Sequence, residues 1–395
     1  MSDKILKDAK RLAKKLSDIR RDIHMHPELG YEETRTSGVI AQTLERLGIS
    51  VQRGVAKTGV VGVLKGAGKG KTVAMRADMD ALPITERNDV PYRSTVEGVM
   101  HACGHDGNTT INLGAAMLLA ELRDEIQGTV KFIFQPCEEA PPGGAVAMIE
   151  EGALRKPDVD VILGVHVDPM IPIGKFGVRE GPMMAAADDF RLVVLGEAAH
   201  GAKPHLGVDA IVLGAQVTMA LQTIPSRRIN PTHPVVVTLG TVKGGYRRNI
   251  IADRVEYEGT ARTLDAKDRK LVAKMIEQTA ARITKAGGGG YEFEYTQGYP
   301  VLECDPRITD IVRASGRDLL GKRAVIELPE PSMGGEDFAF FVSEVPGTMF
   351  RIGTGNKQKG TTYPWHHPHF DIDEEGLWMG AAVMADSVMR CLKEC

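Results

Sequence analysis

The chain has 395 residues, of which 43% are apolar and 26% charged; 49 basic and 52 acidic side chains leave a formal net charge of −3. The apolar share excludes a disordered chain, the length points to two domains, and a near-balance of charge with no basic block speaks against nucleic acid as a partner. The charged N-terminus lacks the apolar core of a signal peptide, no run approaches the ~18 apolar residues of a membrane span, and five cysteines are too sparse and too odd in number for a disulfide framework, so the cytoplasm is the expected setting.

In chain order, residues 2–23 read as an amphipathic helix. Ser2 stands as its N-cap, and Ile5, Ala9, Leu12, Leu16, Ile19 and Ile23 recur at three- and four-residue steps until Pro27. Strands are predicted at 60–64 and 72–77 around the glycine-rich turn at 66–70, the second running into Asp78-Met79-Asp80. The alanine-rich stretch 108–121 predicts a helix, 129–134 a strand, 144–152 a helix and 159–167 a strand. Strands alternating with helices suggest an α/β core with a mostly parallel sheet, which presents its sites at strand ends.

The rhythm then changes. Strands at 190–195, 234–242, 254–261 and 291–296, with helices at 209–224 and 265–285, give the order β-α-β-β-α-β of a ferredoxin-like unit. α/β elements resume after Pro300. The expected architecture is a discontinuous domain, 1–185 and 298–395, with a ferredoxin-like insertion at 186–297.

The chemistry-bearing residues fall near the strand ends. His101-Ala102-Cys103-Gly104-His105-Asp106 sets a thiol and two imidazoles beside a carboxylate, and Cys103 and His105 alternate so that both side chains reach one side. Glu138-Glu139 ends a strand ahead of a rigid and then a flexible turn; one carboxylate suits a metal, the other a proton. His166 closes the next strand. Of His366, His367 and His369, one need be a ligand. Asp78 and Asp80 share one face, either as ligands or as partners orienting a ligand histidine. Together the residues suggest a dispersed metal-hydrolase site suited to zinc, with manganese, cobalt or nickel as alternatives.

The motifs RDIHMHPELGYEE, MRADMDALPITE, HACGHDGN, FQPCEEAPPGGA, GVHV, HGAKPH, GGYRRNII, SMGGEDFAFF and HHPHFDIDE cover nearly the whole chain. In them the chain resembles the zinc-dependent aminoacylase and carboxypeptidase superfamily, most of all the amidohydrolases that include hippurate hydrolase, bacterial N-acyl-amino-acid hydrolases and plant auxin-conjugate hydrolases. The resemblance implies two divalent metal ions held by Cys103, His105, Glu139, His166 and His366, with Asp80 supporting the site and Glu138 as general base. It implies that His200 reaches the reacting carbonyl, that Asn249 and Arg262 hold the substrate carboxylate, and that the inserted domain forms a homodimer or higher homo-oligomer. The implied reaction is hydrolysis of N-acyl-L-amino acids; the alternative is a carboxypeptidase acting on dipeptides or short peptides. Cys137 departs from the small residue, often alanine, common before the glutamates; Ala252 replaces a frequent proline, and Gly196-Glu197-Ala198-Ala199 differs from the usual lead into His200.

Overall fold

The computed structural model describes all 395 residues, which form two compact units: Met1–Gly181 with Glu303–Glu330 and Asp337–Cys395, and Pro182–Leu302 with Pro331–Glu336. The short segment Pro331–Glu336, which the sequence reading leaves outside the insertion, clusters with the second unit.

The first unit is a mixed, mostly parallel α/β layer structure. Its eight strands lie in the order Ser50–Val55, Gly59–Lys65, Gln127–Gln135, Gly68–Asp78, Val161–Pro172, Gly347–Gly355, Phe176–Val178, Val325–Glu327. The four central strands, Gln127–Gln135 through Gly347–Gly355, run parallel. Gly347–Gly355 is buried along its whole length, and the apolar run of Val161–Pro172 nearly so. A parallel sheet covered on both faces requires such continuous burial. Ser50–Val55 and Gly59–Lys65 finish one edge as an antiparallel pair.

The helices Ser2–Met25, His105–Glu121 and Glu375–Glu394 pack on one another. Ser2 is not the N-cap. The helix begins at Ser2 with Met1 in the cap position, and the Ser2 hydroxyl donates instead to Asp386 Oδ1 (2.8 Å) on the last helix; a tertiary partner replaces the local one. His105–Glu121 starts three residues before the predicted helix, and its first fifteen residues are all buried. Small residues let it meet the last helix closely: a Cβ on Gly114 would stand 2.8 Å from Ala381 Cβ, and one on Gly380 2.8 Å from Ile111 Cδ1. The helix Thr34–Arg46 escapes the sequence reading because only Thr36, Ile40, Ala41 and Leu44 of it are buried, too few for a clear period.

The second unit runs Ala186–Leu195, Ala210–Leu221, Val235–Gly244, Arg254–Thr263, Ala266–Ala286, Gly290–Tyr299, which is the βαββαβ order. Its antiparallel sheet has the order Gly290–Tyr299, Ala186–Leu195, Arg254–Thr263, Val235–Gly244. Phe190, Leu192 and Val194 alternate toward the core shared with Leu213, Val217, Val272 and Ile276 of the two helices. Asp209 and Asp265 cap those helices, each accepting two backbone N–H groups.

Candidate metal centre and active site

Parallel strands carry their carboxyl ends to one edge of the sheet. Asp78 ends Gly68–Asp78, Glu138 and Glu139 follow Gln127–Gln135, and His166 lies in Val161–Pro172. Cys103 and His105 enter from the start of the buried helix. The turn between them needs Gly104, which has φ 90° and whose missing Cβ would fall 2.3 Å from Val167 Cγ2. His366 arrives from a loop with φ 63°, in the left-handed region, where its N–H donates to Ala102 O at 2.8 Å.

The structure brings all five expected ligands together within the first unit. Cys103 Sγ lies 3.6 Å from His166 Nε2, and His366 Nε2 lies 3.3 Å from Glu139 Oε1. His105 Nε2 is 3.9 Å from Glu139 Oε1 and 4.0 Å from Glu138 Oε2. Cys103, His105 and His166 form one triad whose donor atoms lie within 4.8 Å of one another; Cys103, Glu139 and His366 form another. Cys103 is common to both.

The ring nitrogens are oriented for ligation. His166 Nδ1 donates to Val167 O (2.8 Å) and His105 Nδ1 to Asp80 O (2.9 Å), so each ring turns its Nε2 to the cluster. His105 Nε2 is buried without a hydrogen-bond partner. An unmet buried polar atom is costly, and a cation held by the deprotonated nitrogen satisfies it. Thiolate, imidazole and carboxylate together fit a divalent transition metal. Burial, with the charge of Glu139, pushes the Cys103 thiol well above its ordinary pKa. Burial and Arg351 hold His166 down to about 3, a neutral ring at working pH. Burial opposes charge on His105, yet Asp78 and Cys103 raise it well above the usual range.

Asp80 lies against both His105 and Glu139. One carboxylate oxygen meets His105 Nδ1 (3.1 Å) while the other accepts the Glu139 N–H (3.0 Å), so a single side chain fixes both expected ligands. Asp78 anchors a buried network: it accepts from Arg76 Nη1 and Asn108 Nδ2, both at 2.8 Å, and Arg76 also reaches Gln135 (2.8 Å) and Asp337 (2.7 Å). Burial raises the Asp78 carboxyl, but His105 and Arg76 outweigh it and bring the pKa down to about 2.

Other residues fall away from the ligand triads. His101 is buried with its ring 6.3 Å from that of His24. His367 stacks on Tyr363 at 4.5 Å, and His369 adjoins both. Three supporting residues escaped the sequence reading. Arg20, fully buried, donates to Oδ2 of Asp106 (2.7 Å), the residue after His105, and pairs with Asp371 (2.8 Å). Nothing marks Arg20 in a helix crowded with basic residues. Asp337 and Glu33 hold the backbone around the two glutamates, Asp337 through Ala145 N–H (3.1 Å) and Glu33 through Cys137 N–H (2.9 Å). Both lie in the quoted motifs, which was the available signal.

His200, Asn249 and Arg262 belong to the second unit. There the HGAKPH and GGYRRNII segments meet: His200 bridges Ile250, and Gly201 N–H donates to Asn249 O at 2.9 Å. His200 and Asn249 are exposed. Arg262 is half-buried and donates Nε to Thr260 Oγ1 (3.1 Å).

A half-buried thiol, imidazoles and carboxylates gathered at the carboxyl ends of parallel strands define a metallohydrolase-type site. Residues 74–390 match the model of Peptidase family M20/M25/M40, and the chain belongs to that family of hydrolases. It is 40% identical over 381 residues to the N-acetyl-L-cysteine deacetylase of Bacillus subtilis, covering 96% of this chain and 89% of that protein. It is also 40% identical over 386 residues to thermostable carboxypeptidase 2 of Saccharolobus solfataricus, covering 97% of each. Among solved structures, the Bacillus subtilis YXEP protein, a dinuclear metal binding peptidase of the M20 family, superposes with a TM-score of 0.86 at 36% identity, over 98% of this chain and 100% of that one. No helix of the chain is long and apolar enough to cross a membrane.

Proposed function

We propose that this hydrolase cleaves the amide bond of N-acyl-L-amino acids, with two divalent cations per subunit and Glu138 as general base. The observation that carries this is the pair of neighbouring carboxylates, each within about 4 Å of the unpartnered His105 Nε2. Glu139 also meets His366 in the second triad, which leaves Glu138 for the proton. The two triads sharing Cys103 support a pair of ions. Their soft and borderline ligands favour zinc, with manganese, cobalt or nickel as alternatives.

The cations supply Lewis acidity and make a water proton easier to remove. Glu138 accepts that proton as the water oxygen attacks the amide carbon, then delivers it to the departing amine. His200 steadies the carbonyl oxygen as negative charge develops there. Arg262, through its planar fork, and Asn249 hold the substrate carboxylate. The deacetylase relatives support acyl transfer to water, and the carboxypeptidase relatives support a second reading, cleavage of dipeptides or short peptides by the same machinery. The test is a panel of acetyl- and benzoyl-amino acids against dipeptides, with each divalent ion in turn. Turnover of dipeptides alone selects the second reading; turnover of neither class ends both.

We further propose that the insertion, 186–297, serves as a dimerisation and lid domain beside a catalytic domain of 1–185 and 298–395. The helix Ala210–Leu221 exposes Ile211, Val212 and Met219, at 50, 52 and 71%, and the edge strand Val235–Gly244 exposes Val236 and Val242. Exposed apolar side chains beside an unpaired strand edge support pairing with a second copy. Light scattering of Met219→Glu/Val242→Lys is expected to show monomer where the parent shows dimer. Mixing inactive His200→Ala with inactive Glu138→Gln is expected to restore part of the activity if a partner supplies His200; with no recovery, His200 acts within its own chain. The free thiols support a cytoplasmic setting.

A further inference from the structure

Glu33 is a carboxylate at 0% exposure on the edge of the first helix after Pro27. It stands where the helix Thr34–Arg46 needs an N-cap, yet its side chain caps nothing. Instead Oε2 accepts the Thr58 hydroxyl at 2.5 Å and Oε1 accepts the Cys137 N–H at 2.9 Å. No cation pairs with it. Burying a carboxylate without a cation is costly, and burial pushes its pKa up while the Thr58 and Cys137 hydrogen bonds work against that rise.

What the carboxylate holds is unusual in turn. Cys137 has φ 53°, a left-handed conformation that a cysteine rarely adopts. It is the residue before Glu138 and Glu139. The reversal at Cys137 lets the chain leave the buried strand Gln127–Gln135 and present two successive carboxylates toward His105. Gly30, three residues before Glu33, completes the cradle: a Cβ there would fall 2.7 Å from Cys137 Sγ. Past the glutamates, the Gly144 N–H closes back on Cys137 O at 2.9 Å. Asp80 grips the Glu139 N–H from the other side.

We propose that Glu33 is a positioning residue, holding the Cys137 backbone in its left-handed turn so that Glu138 and Glu139 occupy their places as base and ligand. The part concerning Glu138 rests on the function proposed above; the part concerning Glu139 concerns metal binding alone. Three variants test it, Glu33→Ala, Glu33→Asp and Glu33→Gln, by zinc titration calorimetry on the full chain and by steady-state kinetics, well below each melting temperature. Glutamine keeps a carbonyl for the Cys137 N–H and turns its amide toward the Thr58 hydroxyl. Aspartate keeps the charge but is one methylene too short.

Glu33→Ala and Glu33→Asp are expected to bind zinc about 10- to 100-fold more weakly, the usual loss for an outer partner of a ligand. Their kcat is expected to fall by a similar factor with KM little changed, while Glu33→Gln stays within about threefold of the parent in both. If Glu33→Ala does not fold, the contrast between aspartate and glutamine carries the same decision. Parent-like zinc affinity and kcat in Glu33→Asp, or a loss in Glu33→Gln as deep as in Glu33→Asp, overturns the proposal. Should the parent itself cleave no N-acyl amino acid, the function above fails while the zinc titration still decides on Glu33.

Discussion

Around the metal centre, Arg76, Asp78, Asp80 and Asn108 are at most 2% exposed, and their side chains bond to one another, to the ligands or to the strand ends beneath them. In the second unit, His200 and Asn249 are exposed, and the hydrogen bonds that shape their loops run mainly from backbone to backbone. The difference follows from the tasks. Metal-ligand geometry tolerates little error, and a buried polar network of this kind suits residues that must hold such a geometry. Side chains that meet a variable substrate gain from loops that tolerate substitution.

The contrast can be broken at several depths. Glu138→Gln is expected to bind metal and fold normally while kcat falls by about 10²–10⁴-fold, the usual weight of a general base; near-parent turnover would remove Glu138 from that role. Asp80→Ala strikes His105 and Glu139 together and is expected to weaken zinc binding about 10- to 100-fold, read by calorimetry. Gly104→Ala adds a Cβ at φ 90° that meets Val167 at 2.3 Å; denaturant unfolding is expected to show a loss of about 1–3 kcal/mol.

A buried lysine gives a pH test in the same unit. Lys131 Nζ donates to Pro157 O at 3.3 Å, and burial lowers its pKa to about 8 from 10.5. The unfolded chain therefore binds more protons between those values, so stability attributable to this group rises as pH climbs through that window. Below about pH 8 both states are protonated and the burial cost is constant. Unfolding midpoints of the parent and Lys131→Met are expected to converge toward pH 10.5, and a constant gap would remove the assignment. The smallest structural effect is expected at the exposed end of the comparison. His200→Ala should change stability by no more than about 0.5 kcal/mol and leave zinc affinity intact while activity falls; a lost melting transition would mean His200 is structural.

Much of this was readable in the chain. The buried strands within 60–64, 72–77, 129–134 and 159–167 announced themselves as apolar runs, while Gly347–Gly355, broken by glycine, threonine and arginine, did not; the clustered Cys103, His105, Glu138 and Glu139 carry their chemistry in adjacent residues. The six elements of the second unit followed from periodicity. Less visible were residues whose partners lie far along the chain. Ser2 looks like a cap until Asp386, 384 residues away, takes its hydroxyl. Arg20 looks like one more surface cation until Asp106 and Asp371 bury it. Glu33 looks like a helix-start acid, yet it faces Cys137.

Sequence alone determined which chemical groups this protein owns and which strands and helices carry them, because residue identity and local period are written in the chain. Only the folded structure decided that Cys103 stands in two clusters of potential metal ligands, that Asp80 meets His105 and Glu139 at once, and that Cys137 turns left-handed just before the glutamates. Those relations depend on distances between segments far apart in the chain, and such distances arise only when the strand ends meet and the buried polar groups must find partners.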